Sequence, residues 1–251
     1  MTTAILSALP EEQGGLMHAL QQSGQLHHAG RSFWRGRLHG QPVVLALSGM
    51  GKVAAATTAA VLAERFGVAR IVFTGVAGGL GQGVQVGDVV VARDYLQHDF
   101  DASPLAARWE VPGYGRARLE CDARLSAMLL EAAGDYLKSA GAGFGSRLSL
   151  PAHPPQVHHG LMASGDRFVC TAHESRALRG ALAAAGHDVL AVEMEGAAVA
   201  QVCHDYGLPF AAVRTISDRA DDSAHVDFAH FVQNVASRYA DHIVQRFVQM
   251  L

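Results

Sequence analysis

The sequence predicts an α/β protein, a single domain over residues 1–251 with a central mixed β-sheet flanked by helices. Short apolar runs, which suit buried strands, alternate along the chain with longer segments that carry apolar residues at helical spacing. This alternation is typical of a sheet with helices on both faces. Hydrophobic residues make up 49% of the chain, which is ample for one large core.

Each element is predicted by a local signal. Apolar runs bounded by turn residues predict strands at 4–9, 33–38, 43–47, 71–74, 86–92, 161–164, 189–192 and 210–216. Pro10 is expected to open a helix at its favoured first position, with Glu11 and Glu12 in the first turn. Loops are expected at 75–83 and 151–159, and residues 93–120 read as a long irregular excursion.

Further helices are predicted at 52–66, 122–140, 172–185 and 196–206. Gly67 and Gly207 follow two of them, as glycine often does at a helix C-terminus. A last helix is expected from about residue 227, because large apolar residues recur there at helical spacing, namely Phe228, Phe231, Val235, Tyr239, Ile243 and Phe247.

Acidic residues follow the predicted strands at several points. Glu193 and Glu195 stand between a strand and a helix, Asp218 ends another strand beside Ser217, and Glu12 follows the first. Ligands bind at the carboxyl edge of α/β sheets, so these acids are candidate site residues. The simpler alternatives are that Glu193 and Glu195 only favour the positive end of the following helix, and that Asp218 is an N-cap.

Composition and charge exclude several classes of protein. The net charge is -3 and no basic cluster is present, so a nucleic-acid partner is not expected. No apolar run is long enough for a membrane span, and no signal peptide is recognised. Three scattered cysteines indicate a reducing compartment, so we expect a cytoplasmic protein. The pairs His27-His28 and His158-His159 lack metal-ligand spacing and are interpreted as solvated loop residues; no metal or cofactor is expected.

Two glycine-rich loops allow more than one interpretation. The segment Gly49-Met-Gly-Lys-Val-Ala54 fits the dinucleotide fingerprint G-x-G-x-x-A. The next strand, 71–74, ends without the acid that would bind a ribose hydroxyl, which argues against a dinucleotide site. The second loop, Thr74-Gly-Val-Ala-Gly-Gly79, is either a tight turn or a pocket wall.

Several motifs resemble the nucleoside phosphorylase and nucleosidase superfamily, and together they cover nearly the whole chain in the family's order. The segment Ala191-Val-Glu-Met-Glu-Gly-Ala197 looks like its ribose-binding signature. Other segments resemble the branch of 5'-methylthioadenosine/S-adenosylhomocysteine nucleosidases: Ala8-Leu-Pro-Glu-Glu12, Ser48-Gly-Met-Gly-Lys-Val-Ala-Ala55, Thr74-Gly-Val-Ala-Gly-Gly79, Val86-Gly-Asp-Val-Val90, Ser164-Gly-Asp166 with Phe168, and Val213-Arg-Thr-Ile-Ser-Asp218.

The resemblance implies a role for each matched residue. Asp218, oriented by Ser217, would protonate the purine N7, and Glu12 would deprotonate the attacking water, so these two acids are the candidate catalytic residues. The implied substrate-binding set divides by subsite. It comprises Glu195 and Met194 at the ribose, Glu193 and Arg214 near the water, Phe168 and Val169 at the purine, Val76, Ala77 and Gly78 in the glycine-rich wall, and Leu9, Met50 and Phe228 at the 5' group.

The chemistry of N-ribosyl cleavage fits this supply of acids. The sugar becomes oxocarbenium-like and the base electron-rich, and glycosidases meet a related demand with two carboxylates. Superfamily phosphorylases carry a Gly-Asp-Pro loop and an early arginine for phosphate. Here Ala8-Leu-Pro-Glu-Glu12 takes that place, no arginine precedes Arg31, and two carboxylates at the nucleophile site would repel phosphate. Hydrolysis is therefore favoured over phosphorolysis.

The resemblance also implies three alternative functions, a small-molecule ligand and an oligomeric state. The alternatives are a purine nucleoside phosphorylase, a nucleosidase that prefers 6-amino-6-deoxyfutalosine, and a non-catalytic storage relative, which loss of Glu12 or Asp218 would have marked. The expected ligand is a small nucleoside. The family also pairs residues 93–120 across a two-fold axis, with Ala102 and Leu105 in that loop, so we expect a homodimer.

Overall fold

The computed structural model describes residues 1–140, 154–232 and 237–251, and within them ten β-strands join in one sheet. Apolar residues alternate between the two faces of its inner strands, as a sheet covered on both sides requires. The strands are β1 (Thr3–Ser7), β2 (Gln21–His28), β3 (Arg31–Leu38), β4 (Gln41–Leu47), β5 (Arg70–Gly79), β6 (Val89–Gln97), β7 (Leu119–Glu120), β8 (Val157–Ser164), β9 (Val189–Glu193) and β10 (Phe210–Asp218).

Part of the sheet closes on itself. Strand β5 pairs with β10, β10 with β6, β6 with β8, β8 with β9, and β9 again with β5. Strand β1 pairs with the first part of β5, and β4, β3 and β2 extend the sheet from there. The β5–β9 and β6–β10 pairs are antiparallel, whereas β5–β10, β6–β8 and β8–β9 are parallel. The predicted mixed sheet is therefore confirmed.

Helices cover both faces of the sheet. One face packs Leu62 and Val199 with Leu6 in a single apolar cluster, and the other packs Leu129 and Phe247 with Ile5. The α/β class with flanking helices is thus confirmed. The described helices are a 3₁₀ turn (Pro10–Glu12), α1 (Gly14–Ala19), α2 (Lys52–Phe66), α3 (Ala123–Ala140), α4 (Ala172–Ala184), α5 (Gly196–Tyr206), α6 (Ala224–Phe231) and α7 (Ser237–Gln249).

Several predicted boundaries are wrong. The loop expected at 75–83 is a strand as far as Gly79, because β9 and β10 both hydrogen-bond to this part of β5. Likewise, β6 runs to Gln97 into the expected excursion and begins only at Val89, after a turn in which Asp88 binds the Gln85 amide. Strand β8 begins at Val157, within the expected loop 151–159, whose first three residues lie outside the described ranges.

The first and last helices also differ from expectation. Strand β1 ends at Ser7, Pro10 opens only a 3₁₀ turn, and α1 begins at Gly14. The polar strand β2, all of whose residues are exposed, was not predicted. The last helix is divided into α6 and α7; residues 233–236, including the expected core residue Val235, lie outside the described ranges.

The histidine pairs lie in strands rather than loops. His27 and His28 are exposed in β2. In β8, the His158 ring nitrogen lies 2.8 Å from the buried carboxylate of Asp88, so this histidine is paired rather than solvated.

Candidate active site

The acids that follow three strands meet at one pocket, although they are far apart in the sequence. The turn after β1 supplies Glu12, the junction of β9 and α5 supplies Glu193 and Glu195, and the end of β10 supplies Asp218. The pocket is lined by Ala8, Leu9, Glu12, Met50, Val76, Ala77, Gly78, Arg167, Phe168, Val169, Val192, Glu193, Met194, Glu195, Ser217, Asp218 and Phe228.

Nearly all of the predicted site residues are in that lining. Arg214 is the exception: it is buried beneath the pocket, where it binds Glu193. Sequence reasoning did not select Ala8, Arg167 or Val192. Of these, Arg167 could have been found, since it lies between Asp166 and Phe168 in a matched motif.

Glu12 is a buried carboxylate held by three backbone amides. One oxygen accepts hydrogen bonds from Ala8 and Leu9, each 2.9 Å long, and the other accepts one of 3.0 Å from Val76. Burial raises the pKa of the Glu12 carboxyl, while the positive charge of Arg214 and the amides act in the opposite direction. A buried carboxyl group with a raised pKa is suited to accept a proton near neutral pH.

Arg214 and Glu12 both lie over Gly75 of β5. A Cβ atom on Gly75 would come within 2.5 Å of the Arg214 Nη1 and 2.6 Å of the Glu12 Oε1. Only glycine leaves room for both side chains here. The Arg214 guanidinium also lies 3.9 Å from the centre of the Phe73 ring and donates to Glu193 over 2.5 Å.

Glu193 is occupied by the protein itself. Its carboxylate accepts hydrogen bonds from the amides of Glu195 and Gly196 at the start of α5, and from the Ser164 hydroxyl. Glu193 therefore binds the start of α5, but this is not its only contact, since it also binds Arg214 and lines the pocket. Ser164 also accepts a 2.7 Å bond from the Ala197 amide; the sequence motif indicated the segment but not this contact.

Glu195 has a different environment from its neighbour. Its Oε1 accepts a 2.8 Å hydrogen bond from the amide of Gly51, in the loop before α2. Burial, followed by the nearby charge of Glu193, raises the pKa of Glu195 to about 8, against the opposing effect of Arg214. The charged form of Glu195 is therefore disfavoured in this pocket, and hydrogen bonds from the hydroxyl groups of a ligand would stabilise it.

Asp218 also lines the pocket and is buried at the end of β10. Its Oδ2 accepts a 2.8 Å hydrogen bond from the Ser217 hydroxyl, and its Oδ1 accepts one of 2.8 Å from the Ala220 amide. Helix α6 begins only at Ala224, so Asp218 is not the N-cap of that helix. A Cβ on Gly78 would approach the Asp218 Oδ1 to 2.9 Å, which explains a glycine at that position.

The mouth of the pocket is apolar. The rings of Phe168 and Phe228 lie edge to face with centroids 5.5 Å apart. Phe168 and Met50 are both substantially exposed although they line the pocket. A flat apolar group held against Phe168 and a thioether against Met50 would cover surface that otherwise faces solvent.

The glycine loop before α2 does not offer the free amides that a dinucleotide phosphate needs. The Gly51 amide binds Glu195, and the Lys52 amide binds Asp166 over 2.7 Å. Two carboxylates at this helix N-terminus would repel a phosphate, which excludes the dinucleotide interpretation of Gly49-Met-Gly51. Among the residues described, no group of three or more potential ligands is arranged for a metal ion, and no helix could span a membrane.

The fold agrees with comparisons to known proteins. The model of the phosphorylase superfamily matches residues 2–249, and the chain belongs to that superfamily. A 5'-methylthioadenosine/S-adenosylhomocysteine nucleosidase of Oceanobacillus iheyensis is 35% identical over 97% of both chains. The resemblance seen in the motifs is thereby confirmed.

Solved structures give the same result. The corresponding nucleosidase of Neisseria meningitidis, in complex with methylthio-immucillin-A, is 35% identical, with a TM-score of 0.83 over 100% of this chain and 99% of that chain. The native futalosine hydrolase of Helicobacter pylori is 28% identical, with a TM-score of 0.85 over 100% of this chain and 98% of that chain.

Proposed function

We propose that this protein is an N-ribosyl hydrolase that cleaves 5'-methylthioadenosine and S-adenosylhomocysteine to adenine and the 5-thioribose product. The observation that carries the proposal is the convergence of Glu12, Glu195 and Asp218 on one pocket with an apolar mouth. Relatives over the full length carry the name of this activity.

The reaction needs one proton removed from water and one delivered to the base. In the proposed mechanism, Glu12 takes a proton from water as the water oxygen bonds to C1' of the ribose. The bond from C1' to N9 breaks, and Asp218 delivers a proton to N7 of the departing purine. The Ser217 hydroxyl, 2.8 Å from Asp218, orients that acid. No metal or cofactor has a role in these steps.

The remaining residues bind the three parts of the substrate. Glu195 would accept hydrogen bonds from the ribose hydroxyls while Met194 packs on the sugar, and Phe168 would stack on the purine beside the Val169 backbone. Glu193 and Arg214 would position Glu12 and the water. The walls of the pocket complete the set, with Val76, Ala77 and Gly78 beside the purine and Leu9, Met50 and Phe228 around the 5' group.

Charge favours water over phosphate as the nucleophile. Glu11, one of two neighbouring acids expected at the nucleophile site, is exposed and outside the pocket lining, so that expectation is corrected. The carboxyl groups that line this part of the pocket are instead those of Glu12, Glu193 and Glu195. Arg167, in the pocket lining, pairs with Glu174, and the buried Arg214 pairs with Glu193. A phosphate would therefore meet carboxylates rather than an available guanidinium.

The test is adenine release measured with and without phosphate. We expect the same rate from 5'-methylthioadenosine in both conditions, and release from S-adenosylhomocysteine as well. A requirement for phosphate, with a sugar 1-phosphate as product, would show that the protein is a phosphorylase.

A second substrate is favoured by one comparison. Because the chain is similar to a futalosine hydrolase over its whole length, 6-amino-6-deoxyfutalosine is the nearest alternative. It belongs in the same assay, and a kcat/KM for it above that for 5'-methylthioadenosine would reassign the preferred substrate.

We also propose a biological setting. Three cysteines without disulfides, Cys121, Cys170 and Cys203, support a location in the reducing cytoplasm. A role in methionine salvage rests on the proposed substrates. The continuous sheet and the family match over residues 2–249 support one domain over residues 1–251. The exposed side chains of Met50, at the pocket mouth, and Leu105 support a homodimer that covers them.

A further inference from the structure

The N-terminus of α2 is capped by two carboxylates from distant parts of the chain. Gly51 is the N-cap, with φ of 93°, and has no side chain with which to bind the free amides of the first turn. The Gly51 amide donates to Glu195 over 2.8 Å, and the Lys52 amide donates to the Asp166 Oδ1 over 2.7 Å. One helix end therefore joins a residue of the pocket to a residue outside it.

Asp166 is itself held in place by the same helix end. Its own amide donates to the Asp99 Oδ2 over 2.8 Å, and the Asp99 Oδ1 lies 2.6 Å from the Lys52 Nζ. Lys52 also donates to the side chain of Gln97 over 3.0 Å. Burial alone raises the pKa of Asp99, but the bonds from Lys52 and Asp166 outweigh it and hold that pKa below its usual value. Lys52, Asp166 and Asp99 therefore form a closed network of polar contacts, in which each residue binds the other two.

We propose that Asp166 is a positioning residue for Glu195: it fixes the first turn of α2, and through the Gly51 amide it fixes the carboxylate that faces the ribose. The inference rests on the proposed function in assigning the ribose to Glu195. Phe168 follows Asp166 by two residues. Asp166 is therefore close in the chain to the proposed purine-binding ring and is linked through Gly51 to Glu195, the proposed ribose-binding carboxylate. An acid at a helix N-terminus that acted only as a cap would contribute to the stability of the fold and not to the position of Glu195.

The first experiment follows the Gly51 amide directly and needs no turnover. Its hydrogen exchange is measured by NMR in the wild type, Asp166→Ala and Asp166→Asn. We expect about tenfold faster exchange in Asp166→Ala, the loss typical of one capping bond. Near-normal exchange is expected in Asp166→Asn, because its amide oxygen can still accept from Lys52. Equal exchange in the wild type and Asp166→Ala would overturn the proposal.

The matched control removes a comparable cap elsewhere. Asp122 accepts a 2.8 Å bond from the Leu125 amide at the start of α3, away from the pocket lining. Asp122→Ala should leave Gly51 exchange unchanged. If Asp122→Ala accelerates Gly51 exchange as much as Asp166→Ala does, the effect is general loosening and the proposal is wrong.

The second experiment is a double-mutant cycle with Glu195. Asp166→Ala should lower kcat/KM for adenine release about tenfold in the wild-type background, mainly through KM, and less than about twofold when Glu195 is already glutamine. The same factor in both backgrounds would overturn the proposal. If the proposed function is wrong, the wild type will release no adenine. The exchange rate of the Gly51 amide would still show whether Asp166 fixes the first turn of α2.

Discussion

At the scale of single residues, the buried carboxylates of the pocket differ in what their oxygens accept. Glu12 is bound by backbone amides, Glu193 by Arg214 and the start of α5, Glu195 by the Gly51 amide, and Asp218 by a serine hydroxyl and an amide. Acids in different surroundings can hold different protonation states and do different work. We therefore propose that Glu12 activates the nucleophilic water and that Asp218 protonates the leaving group.

This assignment predicts a difference between Asp218→Asn and Glu12→Gln. On a nucleoside of adenine, Asp218→Asn should lose about 10²–10⁴-fold in rate, the usual contribution of a general acid. A ribosyl substrate with an activated aryl leaving group needs no proton on N7, so Asp218→Asn should largely recover on it. Glu12→Gln should remain impaired on both substrates, because water must still be activated.

Steady-state rates on both substrates test this difference between Asp218→Asn and Glu12→Gln, once circular dichroism has shown that each variant is folded. Glu195→Gln is the internal control and should be impaired on both substrates, which share the ribose. An equal loss by Asp218→Asn on the adenine and the activated substrate would remove Asp218 from the acid role.

The sequence indicates the acids that line the pocket, but not the residues that support them. Glu12, Glu195 and Asp218 could be selected because each follows an apolar strand, where ligands bind in α/β sheets. Ser164 and Gly75 stand in matched motifs, but their roles could not be predicted, because they depend on contacts with residues far along the chain. Ser164 contacts Glu193, and Gly75 leaves space for Glu12. Such contacts exist only after the sheet has formed.

At the scale of elements, apolar patterns located most strands but not their ends. Strand β5 continues through Gly75 to Gly79, although glycines usually indicate a loop, because neighbouring strands supply its hydrogen bonds. Strand β2 was missed because its side chains are polar and exposed, and only pairing with β3 makes it a strand. In both strands, pairing with neighbouring strands determines the secondary structure more strongly than local composition does.

The strand glycines lead to a prediction about Gly75→Ala. The added methyl group would meet both Arg214 and Glu12, so we expect a loss of about 1–3 kcal/mol in the free energy of unfolding. Displacement of these side chains should also lower kcat about a hundredfold. Chemical denaturation and adenine release measure the two effects.

Gly134 is the matched control for this substitution. It lies within α3, and a Cβ there would meet nothing within 4 Å. Gly134→Ala should stabilise the protein by about 0.5–1 kcal/mol and leave activity unchanged. Full activity in Gly75→Ala would show that the close approach over Gly75 is unimportant for catalysis.

At the scale of the whole molecule, alternation of strands and helices predicted the fold class, but not the closure of the sheet. Closure depends on pairs such as β5 with β10, whose partners are distant in the sequence and leave no mark in local periodicity. The closed strands bring the acids to one pocket, while its mouth stays apolar and open. An exposed apolar mouth is expected to be covered by another surface.

The proposed homodimer gives a prediction at this scale. Leu105, which is 94% exposed, should lie in the interface, so Leu105→Glu should shift the mass measured by light scattering from dimer to monomer and raise KM. Ala127→Glu places the same charge at an exposed position of α3 and should leave the dimer intact. A fully active wild-type monomer at the concentration of the light-scattering experiment would exclude the dimer.

The most direct test of the central claim is the origin of the new oxygen on the sugar. The wild type is incubated with 5'-methylthioadenosine in ¹⁸O-labelled water with unlabelled phosphate, and the masses of the products are measured by mass spectrometry. Since Glu12 is assigned to activate water, we predict free adenine and a thioribose carrying one ¹⁸O at C1. A sugar 1-phosphate without the label would contradict the account.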